Sequence, residues 1–412
     1  IDEEKVKNLN NNISPIYEES LDSLLKHCNT KNKISFTTDI VNAIKNSELI
    51  IVSVGTPTKS NGEIDLSQIE NVTSNLLSNI NGYKLIVIKS TLPITAVNIM
   101  KKQLSKKYKA GIDYEIVSNP EFLREGRAVF DFYNPDRIVI GGETKKSVEI
   151  LKNFYSPLVK NKLNIPEEIK VSKDDIPIIE TNLPSAQMIK YGSNAFLANK
   201  VSFINEIAQI CEKVGANIND VIYGMGIDPR IGSNYMQPGP GFGGPCLEKD
   251  LMALVELGNF YDLESTFMKA ILKRNERQVE LILDKITSEI KQAGSLITVL
   301  GLSFKANTDD IRNSASIKLI NLLLKKGYKV NSYDPKAKYS LQNENYLQFD
   351  NLYSSLNKSK CAVIMTEWDD FKNLNFIKIS KLMTSNIILD MRNIIDTGNK
   401  NLSDFKYYSL GS

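Results

Sequence analysis

The sequence predicts an α/β protein, with two parallel-sheet domains separated by a helical centre. Two observations carry that reading. Short β-branched apolar runs alternate with helix-period segments through the first and last parts of the 412-residue chain. Between about 184 and 224 the alternation stops. One long helical stretch takes over, with Met188, Ile189, Phe196, Ile204, Ile207 and Ile210 recurring at helical intervals. Strand–helix alternation implies βαβ units and parallel sheets, because parallel neighbours need a crossover connection.

In chain order, ELIIVSVG (48–55), KLIVIKS (84–90), YEIVSNP (114–120) and RIVIGG (137–142) read as buried strands. Segments 66–80, 93–107 and 145–159 read as the helices between them. After the helical centre come a glycine-rich loop (238–246) and a further helical stretch to about 291. SLITVLGLS (295–303), YKVNSYD (328–334), CAVIMTEW (361–368) and NIILDMR (386–392) supply a second sheet. The implied domains are 1–182, 183–291 and 292–412. The strands end in small or polar clusters: GTPT, KSTLP, SNPEF, SFK, DP, TEW and MRN. Open parallel sheets bind ligands beyond the carboxyl ends of their strands, so two sheets suggest two ligands. For any single cluster, ordinary turn chemistry is the competing explanation.

Composition narrows the function classes. The chain is 42% hydrophobic and 24% charged with a net charge of +3, as expected of a soluble globular protein. That charge offers no surface for nucleic acid and no polybasic patch for a membrane. No apolar run approaches the roughly 20 residues of a membrane span. No signal peptide is visible, although the chain begins at Ile1, so a lost leader stays open. Cys28, Cys211, Cys246 and Cys361 are widely spaced, without CxxC pairs or companion histidines. The pattern argues against a metal site or a disulfide framework and suits a reducing cytoplasm. The single histidine, His27, reads as a surface residue near a helix end. Chemistry must therefore run on Cys, Lys, Asp, Glu, Asn or a cofactor.

The sharpest motif is PGPGFGGPCLEKD (238–250). Gly239, Gly241, Gly243 and Gly244 let main-chain amides approach a ligand. Cys246 comes next, with Lys249 and Asp250 within one turn if a helix starts there. A thiol at a helix N-terminus or beside a cation becomes a usable nucleophile. The competing reading is a flexible loop with an inert cysteine. Lys190 and Asn194, four apart, share one helix face, which points into a cleft or into solvent. Glu121 and Glu125 in SNPEFLREG (118–126) are either bases or helix-start carboxylates. Lys305 and Arg312 in SFKANTDDIR (303–312) suit phosphate contacts.

Taken together these segments resemble the UDP-glucose dehydrogenase family, within the wider nucleotide-sugar 6-dehydrogenases. The resemblance runs through PIYEESL (15–21), VSVGTPT (52–58), KSTLP (89–93), SNPEFLREG, NPDRIVIGG (134–142), IKYGSNAFLANKVSFINEIA (189–208), GIDPRIG (226–232), GFGGPCLEKD (241–250), GLSFKANTDDIR (301–312) and TEWDDF (366–371), in the family's order. It implies two Rossmann-like doubly wound domains joined by a long central dimerising helix, the first for NAD and the last for the UDP-sugar. It also implies oxidation of a sugar C6 alcohol to a carboxylate through a thiohemiacetal and a thioester.

By this resemblance Cys246 is the nucleophile, and Lys190 and Asn194 stabilise oxyanions. Asp250 works with a water near the thiol, and Glu121 is the base for thioester hydrolysis. Lys5, Thr56, Thr91, Glu125 and Arg312 match positions near NAD. Phe122, Leu123, Phe242, Gly243, Phe304, Lys305 and Arg392, with Lys190 and Asn194, match positions that contact the nucleotide sugar. Arg230 matches a residue that reaches the neighbouring subunit's substrate, which implies a homodimer.

One departure bears on the cofactor. The family opens with a strand, a GxGxxG-type turn on a helix N-terminus and a second strand ending in an acid. IDEEKV (1–6) matches the segment just after that second strand, and Asp2 falls two positions beyond the acid. The expectation is an incomplete gene, the alternative a chain truly this short. The expected reaction is NAD-dependent conversion of UDP-glucose to UDP-glucuronate. The alternatives are a 6-dehydrogenase for a UDP-N-acetylhexosamine or GDP-mannose, or a non-catalytic nucleotide-sugar-binding remnant.

Overall fold

Strand β1 (Leu49–Val52) is one edge of a sheet whose interior begins with β2 (Lys84–Ile88) and β3 (Tyr114–Ser118), both buried along their whole length. Strands β4 (Ile138–Gly141) and β5 (Ile178–Thr181) complete it in the order β1-β2-β3-β4-β5. In this computed structural model the described residues are 2–57, 64–172 and 175–411. Ile1 of IDEEKV and Thr58 of VSVGTPT lie outside them. The chain divides into two compact units, Ile1–Ser193 and Asn194–Ser412, the boundary falling within the long helix Leu183–Val214.

In the first unit the apolar runs of β2 and β3 are continuous because helices cover both faces of the sheet. The period of two sends Ile86 and Ile88 to one face, where helices Ser67–Asn79 and Ile94–Leu104 contribute Leu76, Val97 and Met100. Leu85 and Val87 go to the other face, against Val148, Leu151 and Tyr155 of helix Lys145–Val159. Thr144 caps that helix by accepting from the amide of Ser147. The parallel expectation needs one correction. β1, β2 and β3 are parallel, and so are β4 and β5, but β4 meets β3 antiparallel through the single pair Ser118–Gly141. The chain between β3 and β4 holds the short helix Ala128–Tyr133 and is not a full crossover.

The second unit holds strands β6 (Leu296–Leu300), β7 (Lys329–Tyr333), β8 (Tyr346–Phe349), β9 (Cys361–Ile364), β10 (Ile387–Asp390) and β11 (Lys406–Ser409). All pairs are parallel, in the order β11-β10-β9-β6-β7-β8. The winding reverses between β6 and β9, which creates a topological switch point at their carboxyl ends. Helices Leu247–Phe260 and Thr266–Glu289 precede this sheet. Leu251 and Ile271 from them pack with Ala195, Ala198 and Phe242.

Candidate active site

Two groups of side chains emerge, one in each unit. In the first, the exits of β1 and β2 are tied together. Thr56 donates its Oγ1 hydrogen to the carbonyl of Thr91 at 3.3 Å, and Ser90 Oγ donates to the carbonyl of Val54 at 2.7 Å. The exit of β3 carries SNPEFLREG. Glu121 Oε1 accepts from Lys190 Nζ at 3.0 Å, and its Oε2 accepts from the amide of Leu123 at 2.6 Å. Lys190, on the long helix, is almost fully buried. The guanidinium of Arg137 lies 3.7 Å over the ring of Phe122, with Lys190 Nζ 5.4 Å from the same ring.

The loop that carries these groups is held from two sides. Asp131 accepts from the amide, Nε and Nη2 of Arg124 at 2.9, 2.9 and 2.6 Å. Glu18 accepts from the amides of Gly126 and Ala128 at 2.9 and 2.6 Å, across 108 and 110 residues of chain. Glu125 is half-buried and Leu123 exposed. Lys5, on helix Glu3–Asn10, is exposed, with its amide donating to Asp2.

In the second unit Cys246 occupies the N-cap of helix Leu247–Phe260 and is exposed to solvent. The helix start offers unpaired amides and a positive partial charge to a thiolate. One turn on, Asp250 is fully buried. Its Oδ2 accepts from Asn194 Nδ2 at 2.6 Å and its Oδ1 from Lys249 Nζ at 2.7 Å. Asn275 grips the loop before the thiol at both ends of Phe242, accepting from its amide at 2.8 Å and donating to its carbonyl at 3.0 Å. Gly239 is tied to Asn205 and Gln278. Gly244 has φ of +78°, and a Cβ there would meet the Phe304 ring at 2.9 Å. Beside it, a Cβ on Gly243 would stand 2.7 Å from the carbonyl of Asn313. The glycines are therefore needed for close approach as well as for conformation.

At the β6/β9 switch point Phe304, Lys305, Glu367 and Arg392 converge. Arg392 donates from Nε to the carbonyl of Met365 at 2.9 Å and from Nη2 to the carbonyl of Phe304 at 3.1 Å, and it pairs with Glu367 at 3.2 Å. Glu367 also accepts from the amide of Ala306 at 3.2 Å. Burial opposes its charge, but Arg392, the Ala306 amide and Lys305 outweigh burial and hold its carboxyl below the usual range. Asp390 sits beneath, accepting from the amides of Arg392, Ile394 and Ile395 and from the Tyr407 hydroxyl.

Two expected residues carry exposed guanidinium groups paired to a carboxylate two residues away, although the Arg312 carbonyl accepts from the Gly244 amide at 3.0 Å. Arg312 lies in the second unit and pairs with Asp310, and Arg230 pairs with Asp228. The residues that sequence reasoning misses are mostly holders: Glu18, Asp131, Asn275, Glu367 and Asp390. Glu18 and Glu367 lie inside the motifs PIYEESL and TEWDDF, whose strand-exit or turn position is the signal that could have found them.

Parallel sheets with polar strand exits, and an exposed cysteine at a helix start with a clamped carboxylate one turn on, define an α/β protein of the doubly wound, nucleotide-binding class. The chain belongs to the UDP-glucose/GDP-mannose dehydrogenase family. Residues 1–159 match that family's NAD binding domain, 184–277 its central domain and 298–397 its UDP binding domain. The expected cofactor, NAD, and the dehydrogenase class are borne out by these matches. A UDP-glucose 6-dehydrogenase of Rickettsia felis is 40% identical over 417 residues, covering 100% of this chain and 90% of that protein. The UDP-glucose 6-dehydrogenase TuaD of Bacillus subtilis is 36% identical, covering 100% of this chain and 87% of that protein. A solved UDP-glucose dehydrogenase from Pyrobaculum islandicum superposes with a TM-score of 0.87 at 28% identity, covering 99% of this chain and 90% of that one. A UDP-D-ManNAc dehydrogenase from Pyrococcus horikoshii gives a TM-score of 0.84 at 26% identity, covering 100% and 92%. Among the described residues no helix is long and apolar enough to cross a membrane.

Proposed function

We propose that this protein oxidises UDP-glucose at C6 to UDP-glucuronate in the cytoplasm, with two NAD and one water consumed per sugar. The observation that carries the reading is Cys246 at a helix start, one turn before a buried Asp250 clamped by Asn194 and Lys249. NAD, when bound, accepts the two electrons of each oxidation. The donor set at the β1 and β2 exits, neutral hydroxyls and main-chain groups of Thr56 and Thr91, fits a dinucleotide beyond parallel strand ends. Lys5, Glu125 and Arg312 complete the cofactor contacts in this reading.

Cys246 attacks the C6 aldehyde from the first oxidation and forms a thiohemiacetal. The second oxidation converts that adduct to a thioester. Lys190 and the Asn194 amide stabilise the oxyanions, an electrostatic role that gains strength where water is excluded. Asp250 orients water near the thiol. Glu121 takes a proton from the water that hydrolyses the thioester, releasing the carboxylate and regenerating the thiol. Phe122, Leu123, Phe242, Gly243, Phe304, Lys305 and Arg392 hold the nucleotide sugar. Division into domains 1–182, 183–291 and 292–412 belongs to the same reading.

A homodimer is proposed on a second observation. Phe196, Phe203, Ile210 and Val214 run along one face of the long helix at intervals of seven, seven and four and are 45% to 70% exposed. A second copy covers that stripe in this reading, and the exposed Arg230 reaches the partner's substrate.

The test is NADH formed per UDP-glucose consumed by the protein expressed from its native gene. Two per sugar support the reading. Two per UDP-N-acetylhexosamine or GDP-mannose, and none with UDP-glucose, would keep the thiol chemistry and replace the substrate. None with any sugar would leave a nucleotide-sugar-binding protein.

A further inference from the structure

Lys89, from the KSTLP segment, has no part in the proposed mechanism, yet it lies behind the group that carries Glu121. Its Nζ donates to Asn119 Oδ1 at 3.1 Å and to the Tyr155 hydroxyl at 3.3 Å. Tyr155 in turn donates to Asn119 Oδ1 at 2.6 Å, and Asn119 Nδ2 donates to the carbonyl of Val139 at 2.8 Å. Asn119 is two residues before Glu121, and its amide donates to the carbonyl of Ile88. The network thus joins the exits of β2 and β3 to the body of β4 and to helix Lys145–Val159, all within the first unit. Among the described residues no carboxylate is in direct ion-pair contact with Lys89. The charged groups that act on it are Glu121 on the β3 exit and Lys190 on the long helix, and Tyr155 is the titratable group it touches.

We propose that Lys89 is a positioning residue for the Glu121–Lys190 pair: it locks the Asn119–Pro120–Glu121 turn through Asn119 and Tyr155, and it adds a second positive charge behind that pair. Holding an ammonium away from water among neutral acceptors is costly, and here the cost is borne directly behind the Glu121–Lys190 pair. Burial lowers Lys89 to about 8, with Glu121 pulling it up and Lys190 pushing it down. Its charge is therefore present at neutral pH and titrates away above it. Perturbed groups of this kind concentrate at functional sites. The inference rests on the catalytic roles proposed for Glu121 and Lys190.

The experiment compares wild type with Lys89→Met, Lys89→Arg and Glu121→Gln, all in the full chain expressed from its native gene. Steady-state NADH formation is measured from pH 6 to 10, with circular dichroism to check folding. Lys89→Met is expected to lower kcat by at least about 10-fold, the scale of a misplaced catalytic group. Both KM values should stay within about threefold. Wild type should lose activity along an alkaline limb near pH 8. Lys89→Arg, which keeps its charge, should move that limb upward, and Lys89→Met should remove it. Unchanged kcat in Lys89→Met, with Glu121→Gln slow, overturns the role of Lys89 alone. Equal defects and identical pH profiles in Lys89→Met and Lys89→Arg also overturn it, because charge would then not be the agent. Wild-type turnover by Glu121→Gln overturns the mechanism on which the proposal stands. Should Lys89→Met fail to fold, Tyr155→Phe removes one of the two acceptors and should lower kcat in the same direction; no change there counts against the proposal.

Discussion

Asn194 donates to Asp250 at 2.6 Å, and both side chains are withdrawn from solvent. One lies on the long helix and the other one turn past Cys246, so the bond ties the helix that begins at the thiol to the central helix. Lys249 takes the other carboxylate oxygen, which leaves Asp250 little rotational freedom. Removing the carboxylate strands two donors. Asp250→Ala should cost about 3–5 kcal/mol in urea unfolding, the range for breaking a buried pair from one side. Asp250→Asn keeps the shape and should cost about 1–3 kcal/mol, as one hydrogen bond is lost. It should still lower kcat about 100-fold or more, since an amide offers N–H where the carboxylate only accepts and so cannot orient the water in the same way. Near-normal turnover in Asp250→Asn would make the residue structural only.

The thiol itself gives a separable prediction. Cys246 stands at the N-cap with an exposed side chain, so Cys246→Ser changes nucleophilicity with little change in shape. Calorimetry should find UDP-glucose affinity within about threefold of wild type, while complete turnover falls by at least about 1000-fold. Turnover close to wild type would remove Cys246 from the mechanism.

Both of those residues are legible in the sequence because glycines and a cysteine share one short motif. Buried strands are legible for a similar reason: KLIVI and LITVL are continuous apolar runs, the mark of a sheet covered on both faces. The strands that escape a sequence reading are β5, β8 and β11, four residues each and half-exposed at or near sheet edges. YLQF and KYYS carry no clean alternation, and their pairing comes from a neighbouring strand. The helix Glu3–Asn10 escapes because EEKVKNLN has almost no apolar face. Strand direction at the β3–β4 joint has no local signature at all. Glu18 has its motif position but no trace of the amides it caps 108 and 110 residues away, and Asp390, which caps amides two to five residues on, reads as an ordinary strand-end turn residue.

At the switch point of the second sheet, Lys305 comes directly after Phe304, and Arg392 anchors the Phe304 carbonyl. Lys305→Ala should therefore raise the KM for UDP-glucose by about 10-fold, the loss of one charge-assisted contact. The KM for NAD should change less than about twofold. Equal effects on the two would move Lys305 out of the nucleotide-sugar site.

Glu367 predicts a pH dependence of stability. Its folded carboxyl titrates below the ordinary value of 4.5, so the folded state holds fewer protons than the unfolded state in that range. The stabilisation is fully present above about pH 4.5 and is lost as pH falls through the folded value. Wild type should lose more of its urea midpoint between about pH 6 and about pH 3.5 than Glu367→Gln does. Parallel losses in the two proteins would mean that the pairing with Arg392 contributes nothing.

The exposed stripe on the long helix gives the last prediction. Phe196, Phe203 and Ile210 repeat every seven residues, and Val214 extends the row by one turn, so they form one ridge along a 32-residue helix. A ridge of that length left in water would be an aggregation hazard, and the proposed pairing with a second copy would bury it. Phe203→Asp, near the middle of the ridge, would place two carboxylates in a symmetric interface, where like charges repel and desolvation is uncompensated. Light scattering after size exclusion should find wild type as a dimer or a multiple of one, and Phe203→Asp as a folded monomer with unchanged circular dichroism. Activity of the monomer should fall as well, because Arg230 would have no neighbouring substrate to reach. A monomeric wild type would overturn both the interface and that role. A dimeric Phe203→Asp would move the interface elsewhere on the surface and leave the ridge without an assigned partner.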